Sequence, residues 1–149
     1  MMIYVLEFEF FKEESNVIAL PFWELGGATS GCDLTEAVEY AADFLMAYVD
    51  DALMNDKALP KESFGHLPEN GGRVIAVAVS RELGDIASMT AAEAARELGI
   101  SRARVSQLVA ADLLDSWEVG GRRLVSRNSV EARKADKPQA GRPRKSAQA

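Results

Sequence analysis

The chain has 149 residues, of which 48% are hydrophobic and 27% are charged. This length fits one ordinary domain or two small ones, and this composition excludes a disordered chain and a membrane-embedded one. Purely apolar runs such as Val74 to Val79 are far shorter than the roughly 18 residues that span a bilayer. The first residues lack the basic segment and cleavage site of a signal peptide, so we expect a cytoplasmic protein.

Cysteine and histidine are too scarce for several kinds of site. The single cysteine, Cys32, excludes an internal disulfide, and with the single histidine, His66, it leaves too few soft ligands for zinc. We expect Cys32 to be an ordinary turn residue and His66 to be a solvated loop residue. No cofactor and no metal are expected.

Charge is distributed unevenly along the chain. Residues 1–80 carry 14 acidic and 4 basic side chains, a net charge of -10, whereas residues 81–149 carry 9 acidic and 13 basic ones, a net charge of +4. This division indicates an acidic domain with a basic partner, followed by a basic domain with an anionic partner such as nucleic acid.

The first 31 residues predict three strands. Residues 2–11 alternate in hydrophobicity, with Glu7 and Glu9 on the more polar face, which is typical of a half-buried strand. We expect Glu7 and Glu9 to lie on the solvated side of an edge strand. After a polar turn, residues 17–23 form a second strand, which Pro21 places at a sheet edge or at a bulge. Residues 26–31 have room for a short third strand.

A long helix and a fourth strand complete the predicted first domain. Asp33 followed by Glu36 is the pattern of a capped helix start. Apolar residues then recur at helical spacing over about 20 residues, namely Leu34, Val38, Ala41, Leu45, Tyr48 and Ala52. After a loop, residues 73–79 resemble a strand buried on both faces. We expect a β-β-β-α-β unit of the α+β class over residues 1–80, with a right-handed crossover that makes the last strand parallel to an earlier one.

A linker over residues 81–87 is expected to lead to a second domain over residues 88–134. Thr90 to Glu93 form a capping box, Gly99 ends the first helix, and Ser101 caps a second helix from Arg102 to about Ala111. Two short helices joined in this way favour a helix-turn-helix. The expected DNA contacts on its second helix are Ser101, Arg102, Arg104, Ser106 and Gln107.

The end of the chain predicts a wing, a short helix and a tail. Residues 117–125 form two strands around Gly120-Gly121, with Arg122 and Arg123 just past this turn. These two arginines and Arg104 are expected at DNA phosphates or in the minor groove. A last helix begins near Asn128. Residues 135–149 are expected to be a disordered basic tail, in which residues 141–144 resemble the core of an AT-hook.

The second domain resembles the winged helix-turn-helix domains of the excisionase and MerR-like group. The residues that carry this resemblance are Thr90 to Ala95, Gly99 to Arg102, Val119 to Arg123 and Asn128 to Val130. The resemblance implies that the second helix enters the major groove of duplex DNA and that the wing lies near the minor groove.

The first domain resembles the HicB family of antitoxins. This resemblance rests on the aromatic first strand, the Val17 to Pro21 strand, the Gly31 turn before Leu34 to Ala37, the long acidic helix, and Leu59-Pro60. It implies a truncated RNase H-like fold and a small basic ribonuclease toxin as the partner. Many HicB-like proteins carry a C-terminal DNA-binding domain of this kind.

An RNase H-like fold makes a nuclease conceivable, since that chemistry needs three or four carboxylates around two magnesium ions. The available acids are Glu7 and Glu9 on the first strand and Glu36 or Asp43 on the helix, and the fourth strand offers none. We therefore expect a protein that is not an enzyme.

The sequence thus favours an antitoxin of a type II toxin-antitoxin system that occludes an mRNA-cleaving toxin and represses its own operon. The candidate toxin contacts are Glu7, Glu9, Glu36, Glu39, Asp43, Asp50 and Asp51. The alternatives are a stand-alone transcription regulator whose first domain dimerises or binds a ligand, and a degenerate nuclease. A second domain of this size buries little surface, so we also expect a homo-oligomer.

Overall fold

A computed structural model describes residues 2–23 and 26–136 of the chain. They divide into two compact units, with the boundary between Ile86 and Ala87. Within the described residues, no helix combines the length and the apolar character needed to cross a bilayer. Most of the predicted tail, including the stretch similar to an AT-hook, lies outside the described residues.

The first unit contains a four-stranded antiparallel sheet. Its strands are β1 (Ile3–Glu13), β2 (Asn16–Pro21), β3 (Thr29–Gly31) and β4 (Arg73–Ser80), in the order β3-β2-β1-β4. β1 is central rather than at an edge, because it pairs with β2 on one side and with β4 on the other. β3 pairs with only the first half of β2, so Pro21 lies beyond the end of β3, where no strand partner needs its missing N–H.

The last strand of this sheet differs from the prediction in its connection through the helix and in its burial. β4 runs antiparallel to β1, with Ile3 opposite Ser80 and Phe10 opposite Arg73. β3 and β4, the two strands that the helix connects, run in opposite directions, so the helix does not form the predicted parallel crossover. β4 has the direction of the earlier strand β2, but the two are not neighbours in the sheet. The long segment after the helix returns across the sheet before β4 begins, which sets this direction. β4 is also an edge strand with one covered face: Val77 and Val79 are buried, whereas Ala76 and Ala78 are exposed.

Helix α1 (Leu34–Met54) packs against one face of the sheet. Asp33 caps it by accepting a hydrogen bond from the Glu36 N–H at 2.8 Å. The shared core lies between the two layers and contains Leu6, Phe8, Phe10, Val17, Ala19, Ala37, Ala41, Leu45, Val49, Val77 and Val79. The buried stripe is rotated from the predicted one, since small Ala37 faces the sheet while Leu34 is exposed. A small side chain there lets the helix approach the turn at Gly31, where a Cβ atom would collide with the Ala37 backbone.

The segment predicted to be a linker belongs mainly to the first unit. Arg81 forms a bidentate ion pair with Asp50 of α1, with N···O distances of 2.6 and 2.7 Å. A short 3₁₀ helix follows over Leu83–Asp85, and Ile86 is buried. A charge pair of this geometry orders the chain at the start of the predicted linker.

The second unit is a small helical domain with a three-stranded sheet. Its elements are β5 (Ser88–Thr90), α2 (Ala91–Leu98), α3 (Arg102–Ala110), β6 (Ser116–Val119), β7 (Arg122–Ser126) and α4 (Arg127–Ala135). The sheet order is β5-β7-β6, with antiparallel pairing throughout. Its core consists of Met89, Ala94, Ala95, Val105, Leu108, Leu114, Val125 and Val130. β5 is not predictable from the sequence, because three residues are too few to show a strand period.

Candidate nucleic-acid interface

The turn between α2 and α3 is built by the residues that its geometry requires. Thr90 and Glu93 exchange hydrogen bonds in a capping box at the start of α2, and the Thr90 amide holds the pKa of Glu93 below its usual value. Gly99 ends α2 with a φ of 65°, a conformation that favours glycine. Ser101 then caps α3 by accepting a hydrogen bond from the Arg104 N–H at 3.1 Å. These signals fix the point at which the chain turns into α3.

Helix α3 has one buried face and one open face. Val105 and Leu108 are buried in the core of the second unit. The opposite face carries side chains that are small or of medium length and all exposed, spaced at i, i+3, i+4 and i+7: Ala103, Ser106, Gln107 and Ala110. A helix whose exposed face carries no bulky side chain can enter the major groove of B-DNA. There an alanine methyl group can contact a thymine methyl group.

The predicted DNA contacts on α3 lie on or beside this open face. Arg102, at the first turn, is exposed, and its carbonyl oxygen accepts a hydrogen bond from the Ser106 hydroxyl at 3.3 Å. The Arg104 guanidinium donates to the Gln107 side-chain oxygen at 3.0 Å, which orients that amide. Ser101 serves as the helix cap, so its oxygen is already engaged by the backbone. Ala103 and Ala110 are not predictable as part of this face from the sequence, because alanine carries no chemical signal of its own.

The wing is formed by β6 and β7. Gly120 and Gly121 have φ values of 57° and 76°, as a two-residue hairpin turn with two left-handed positions requires. Arg122 is exposed at the start of β7. Arg123 donates to the Ser116 hydroxyl at 3.1 Å and forms an ion pair with Glu118 at 3.3 Å. Both partners of this pair are more than half exposed, so the pair is weak and Arg123 can exchange Glu118 for a phosphate.

In the first unit, Glu7 and Glu9 are placed differently from the prediction. Both are buried, with exposed fractions of 8% and 1%, on the sheet face opposite α1. The loop before β4 covers them, and their carboxylates accept hydrogen bonds from backbone N–H groups of residues 65–72. They are therefore internal supports and cannot contact a toxin as predicted. The alternation shows that β1 has two faces but cannot show that a distant loop covers the second one.

His66 is also not the solvated residue that the sequence predicts. Its ring stacks on Phe22 with 4.5 Å between centroids and an angle of 10°. Its Nδ1 lies 2.7 Å from a Glu7 oxygen. The backbone N–H groups of Gly65 and His66 are the main reason that the pKa of Glu7 is lowered.

The acidic residues of α1 fall into two groups. Three have partners within the described structure: Asp50 pairs with Arg81, Asp51 with Lys57, and Glu36 accepts a hydrogen bond from the Cys32 backbone N–H. Glu39 and Asp43 are exposed and form no ion pair with another described residue. Of the predicted toxin contacts, these two are the ones left open to a partner.

The candidate nuclease carboxylates Glu7, Glu9, Glu36 and Asp43 do not converge as a nuclease site would require. Glu7 and Glu9 point away from α1, so the sheet separates them from Glu36 and Asp43. The thiol of Cys32 is not activated either, because the adjacent Glu36 carboxylate and burial raise its pKa. A thiolate nucleophile needs the opposite shift.

Comparison with known families identifies one part of the chain. Residues 88–137 match a helix-turn-helix domain family. Neither a curated protein nor a solved structure matches the chain. The helix-turn-helix predicted for the second unit is thus confirmed, and a domain of this kind indicates a DNA-binding regulator.

Proposed function

We propose that the chain is a transcription regulator that reads duplex DNA with α3 in the major groove and with the wing on the flanking backbone. The observation that carries this proposal is the open face of α3, on which Ala103, Ser106, Gln107 and Ala110 present no bulky side chain. Arg102 at the helix start, together with Arg122 and Arg123 on the wing, supplies the positive charge that phosphates attract.

A pair of matched substitutions tests this placement of α3. Ala103→Glu places a long anionic side chain on the open face, whereas Ala132→Glu makes the same chemical change at an exposed position of α4. We expect Ala103→Glu to abolish footprinting of the full-length protein on the DNA upstream of its own gene, and Ala132→Glu to leave the footprint nearly unchanged. Equal losses would mean that added negative charge alone explains the effect, and α3 would lose its assigned role.

We further propose that the first unit makes this regulator an antitoxin, which binds and occludes a small basic ribonuclease and represses the operon that encodes both. Support comes from the resemblance of residues 1–80 to HicB antitoxins, from their net charge of -10, and from the open acidic positions Glu39 and Asp43 on α1. Complementary charge of this kind speeds docking between proteins.

The neighbouring reading frame tests the antitoxin proposal. If it encodes a short basic protein, that protein should co-purify with the full-length chain, and its RNA cleavage should stop when the chain is added. Cells that express it should grow only when the chain is supplied. A neighbouring product that neither binds the chain nor loses activity in its presence would refute this function and leave the DNA-binding role intact.

One observation favours the alternative of a stand-alone regulator whose first unit dimerises. The outer edge of β4 pairs with no other described strand, and residues 74–80 carry no charged side chain. An uncharged edge strand is a ready template for pairing with a second copy. Val77→Lys would lose core packing as well, so Ala76→Lys on the exposed face is the better test. In sedimentation velocity, a dimer of the unmodified protein that becomes monomeric with Ala76→Lys would support this alternative.

A further inference from the structure

The loop that precedes β4 exposes two large apolar side chains. Phe64 is 61% exposed and Leu67 is 80% exposed, and Leu67 has the highest exposure among the large hydrophobic residues of the described structure. Single exposed apolar residues are common on protein surfaces. Two such residues within four positions, on one loop, form a candidate contact surface, provided that the loop has a defined shape.

Two buried carboxylates hold this loop to the sheet. Glu7 accepts hydrogen bonds from the Gly65 and His66 N–H groups at 2.9 and 3.0 Å. Glu9 accepts from Glu69, Asn70 and Gly72 N–H groups at 2.7 to 3.0 Å, and from the Asn70 side-chain amide at 3.1 Å. The backbone is thus tied down on both sides of Leu67, so the loop is ordered although its side chains face solvent.

The remaining contacts of the loop also restrict its conformation. The His66 ring is fixed between Phe22, on which it stacks, and the Glu7 carboxylate. Gly65 and Gly71 adopt φ values of 82° and 69°, which only glycine adopts without strain. Beside the start of the loop, Leu59, Pro60 and Glu62 line a mainly apolar pocket together with Tyr4, Val5, Leu6, Trp23, Leu45 and Val49.

Placing two ionised carboxylates under a loop is costly unless their hydrogen bonds compensate. A loop that merely joined α1 to β4 would not need such supports. An interface gains affinity when its apolar anchors are ordered before binding, because less conformational freedom is then lost. Binding energy commonly concentrates on a few such anchors, surrounded by polar residues.

We propose that residues 62–70 form a preorganised docking loop of the first unit, with Phe64 and Leu67 as the anchors for a basic protein partner. The basic character of the partner follows from Glu62 and Glu69, which flank the anchors, and from the net charge of -10 of residues 1–80. This inference rests on the proposed antitoxin function, and it assigns the binding surface that the charged residues alone leave undefined. Glu7 and Glu9 act as positioning residues beneath that surface.

The binding test uses the full-length chain and the purified basic protein of the neighbouring reading frame in calorimetric titrations. We expect Phe64→Ala and Leu67→Ala each to weaken binding by about 10- to 30-fold, and the double variant by more. Leu113→Ala is the matched control, since Leu113 is 50% exposed in the second unit. It should bind as the unmodified chain does.

The outcomes separate this inference from the proposed function. Binding by the unmodified chain with equal affinity for the loop variants would overturn the docking loop and leave the antitoxin function standing. Absence of binding by the unmodified chain would overturn the antitoxin function together with the assigned partner. A dimer of the chain alone that Phe64→Ala and Leu67→Ala convert to monomers would assign the anchors to a second copy and would also overturn the proposal.

A measurement without any partner tests the preorganisation. In hydrogen exchange, the amides of Gly65, His66, Glu69 and Asn70 should be protected although they lie in a loop. Glu9→Gln should increase the exchange of the Glu69 and Asn70 amides, which donate to Glu9, by about tenfold or more. Rapid exchange of these amides in the unmodified chain would refute a loop that is ordered before binding.

Discussion

Replacement of Glu9 by glutamine examines the support on which the docking loop depends. Glu9 is 1% exposed, and each of its carboxylate oxygens accepts hydrogen bonds from donors of the loop. A glutamine side chain keeps one accepting oxygen but places an NH₂ group where the other oxygen lies. That NH₂ group would face the N–H groups of Asn70 and Gly72, which are also donors, so these two hydrogen bonds would be lost.

The magnitude follows from the hydrogen bonds that are lost. A hydrogen bond to a charged group contributes about 1.5 to 3 kcal/mol, and glutamine forfeits the charge as well as one accepting oxygen, so we expect Glu9→Gln to lower the free energy of unfolding by about 2 to 4 kcal/mol. Glu13→Gln, at an exposed position on the same strand, is the control and should change it by less than about 0.5 kcal/mol.

Fluorescence of Trp23 provides the assay for the first unit. Trp23 packs against Tyr48 with 4.3 Å between ring centroids. Trp117, in the second unit, is replaced by phenylalanine in all variants, which removes a buried indole N–H that has no hydrogen-bond partner within the described residues. Urea titrations then report the unfolding of the first unit alone. An unchanged urea midpoint for Glu9→Gln would show that the loop contacts contribute nothing to stability.

The pH dependence gives an independent check on the same carboxylate. Burial raises the pKa of Glu9, but hydrogen bonds from the Glu69, Gly72 and Asn70 backbone and from the Asn70 side chain outweigh it and lower the pKa from the ordinary value of 4.5. A lowered folded-state pKa means that this stability is present above the unfolded-state pKa and is lost as pH falls through the folded-state value. The stability difference between the unmodified chain and Glu9→Gln should therefore shrink in acid. A difference that stays constant as pH falls from 7 through the folded-state pKa would contradict ionisation of Glu9.

Three further predictions concern DNA binding and the loop. Arg102→Ala or Gln107→Ala should weaken the free energy of binding to the operator by about 1 to 3 kcal/mol and should change binding to random DNA little. Equal losses of binding on both DNAs would mean that these side chains contact only phosphates. Replacing Arg104, Arg122 or Arg123 by alanine should each lower the slope of log affinity against log salt by about 1, and an unchanged slope would remove that arginine from the interface. Gly72→Ala should destabilise the first unit in the urea assay, because a Cβ atom there would collide with the Phe10 carbonyl, and an unaltered midpoint would contradict this close approach.

The second unit was predictable from the sequence because its signals are local. The Thr90–Glu93 capping box, the left-handed Gly99 and the Ser101 cap each act within four residues of the chain. The Gly120-Gly121 turn likewise determines the hairpin of the wing from two residues. Such patterns can be interpreted without knowing the tertiary fold.

The first unit was predictable only in its elements. The alternation of β1 and the cap at Asp33 predict a strand and a helix correctly, but strand direction and burial depend on distant residues. The 11-residue strand β1 pairs with β4, whose paired residues lie more than 60 positions later in the chain. Glu9 is buried by a loop at a similar sequence separation. No short sequence pattern indicates such contacts, so the sequence predicts β1 at an edge and Glu9 in solvent.

Charge and apolar contact should have separable effects on the binding of a basic partner. Glu7 and Glu9 have lowered pKa values and thus remain ionised at neutral pH, so they add to the negative field of the first unit although they cannot touch a partner. The field of all these charges acts at long range and steers association, whereas an exposed ion pair contributes only about 0 to 1 kcal/mol to the complex.

Association and dissociation rates of the full-length chain and the neighbouring basic protein test this separation. Glu39→Lys and Asp43→Lys should mainly slow association, and the effect should weaken at high salt. Phe64→Ala and Leu67→Ala should mainly speed dissociation, because apolar anchors act once the surfaces are in contact. If charge reversal on α1 instead speeds dissociation strongly while the loop variants leave it unchanged, the helix is the contact surface and the apolar anchors are not.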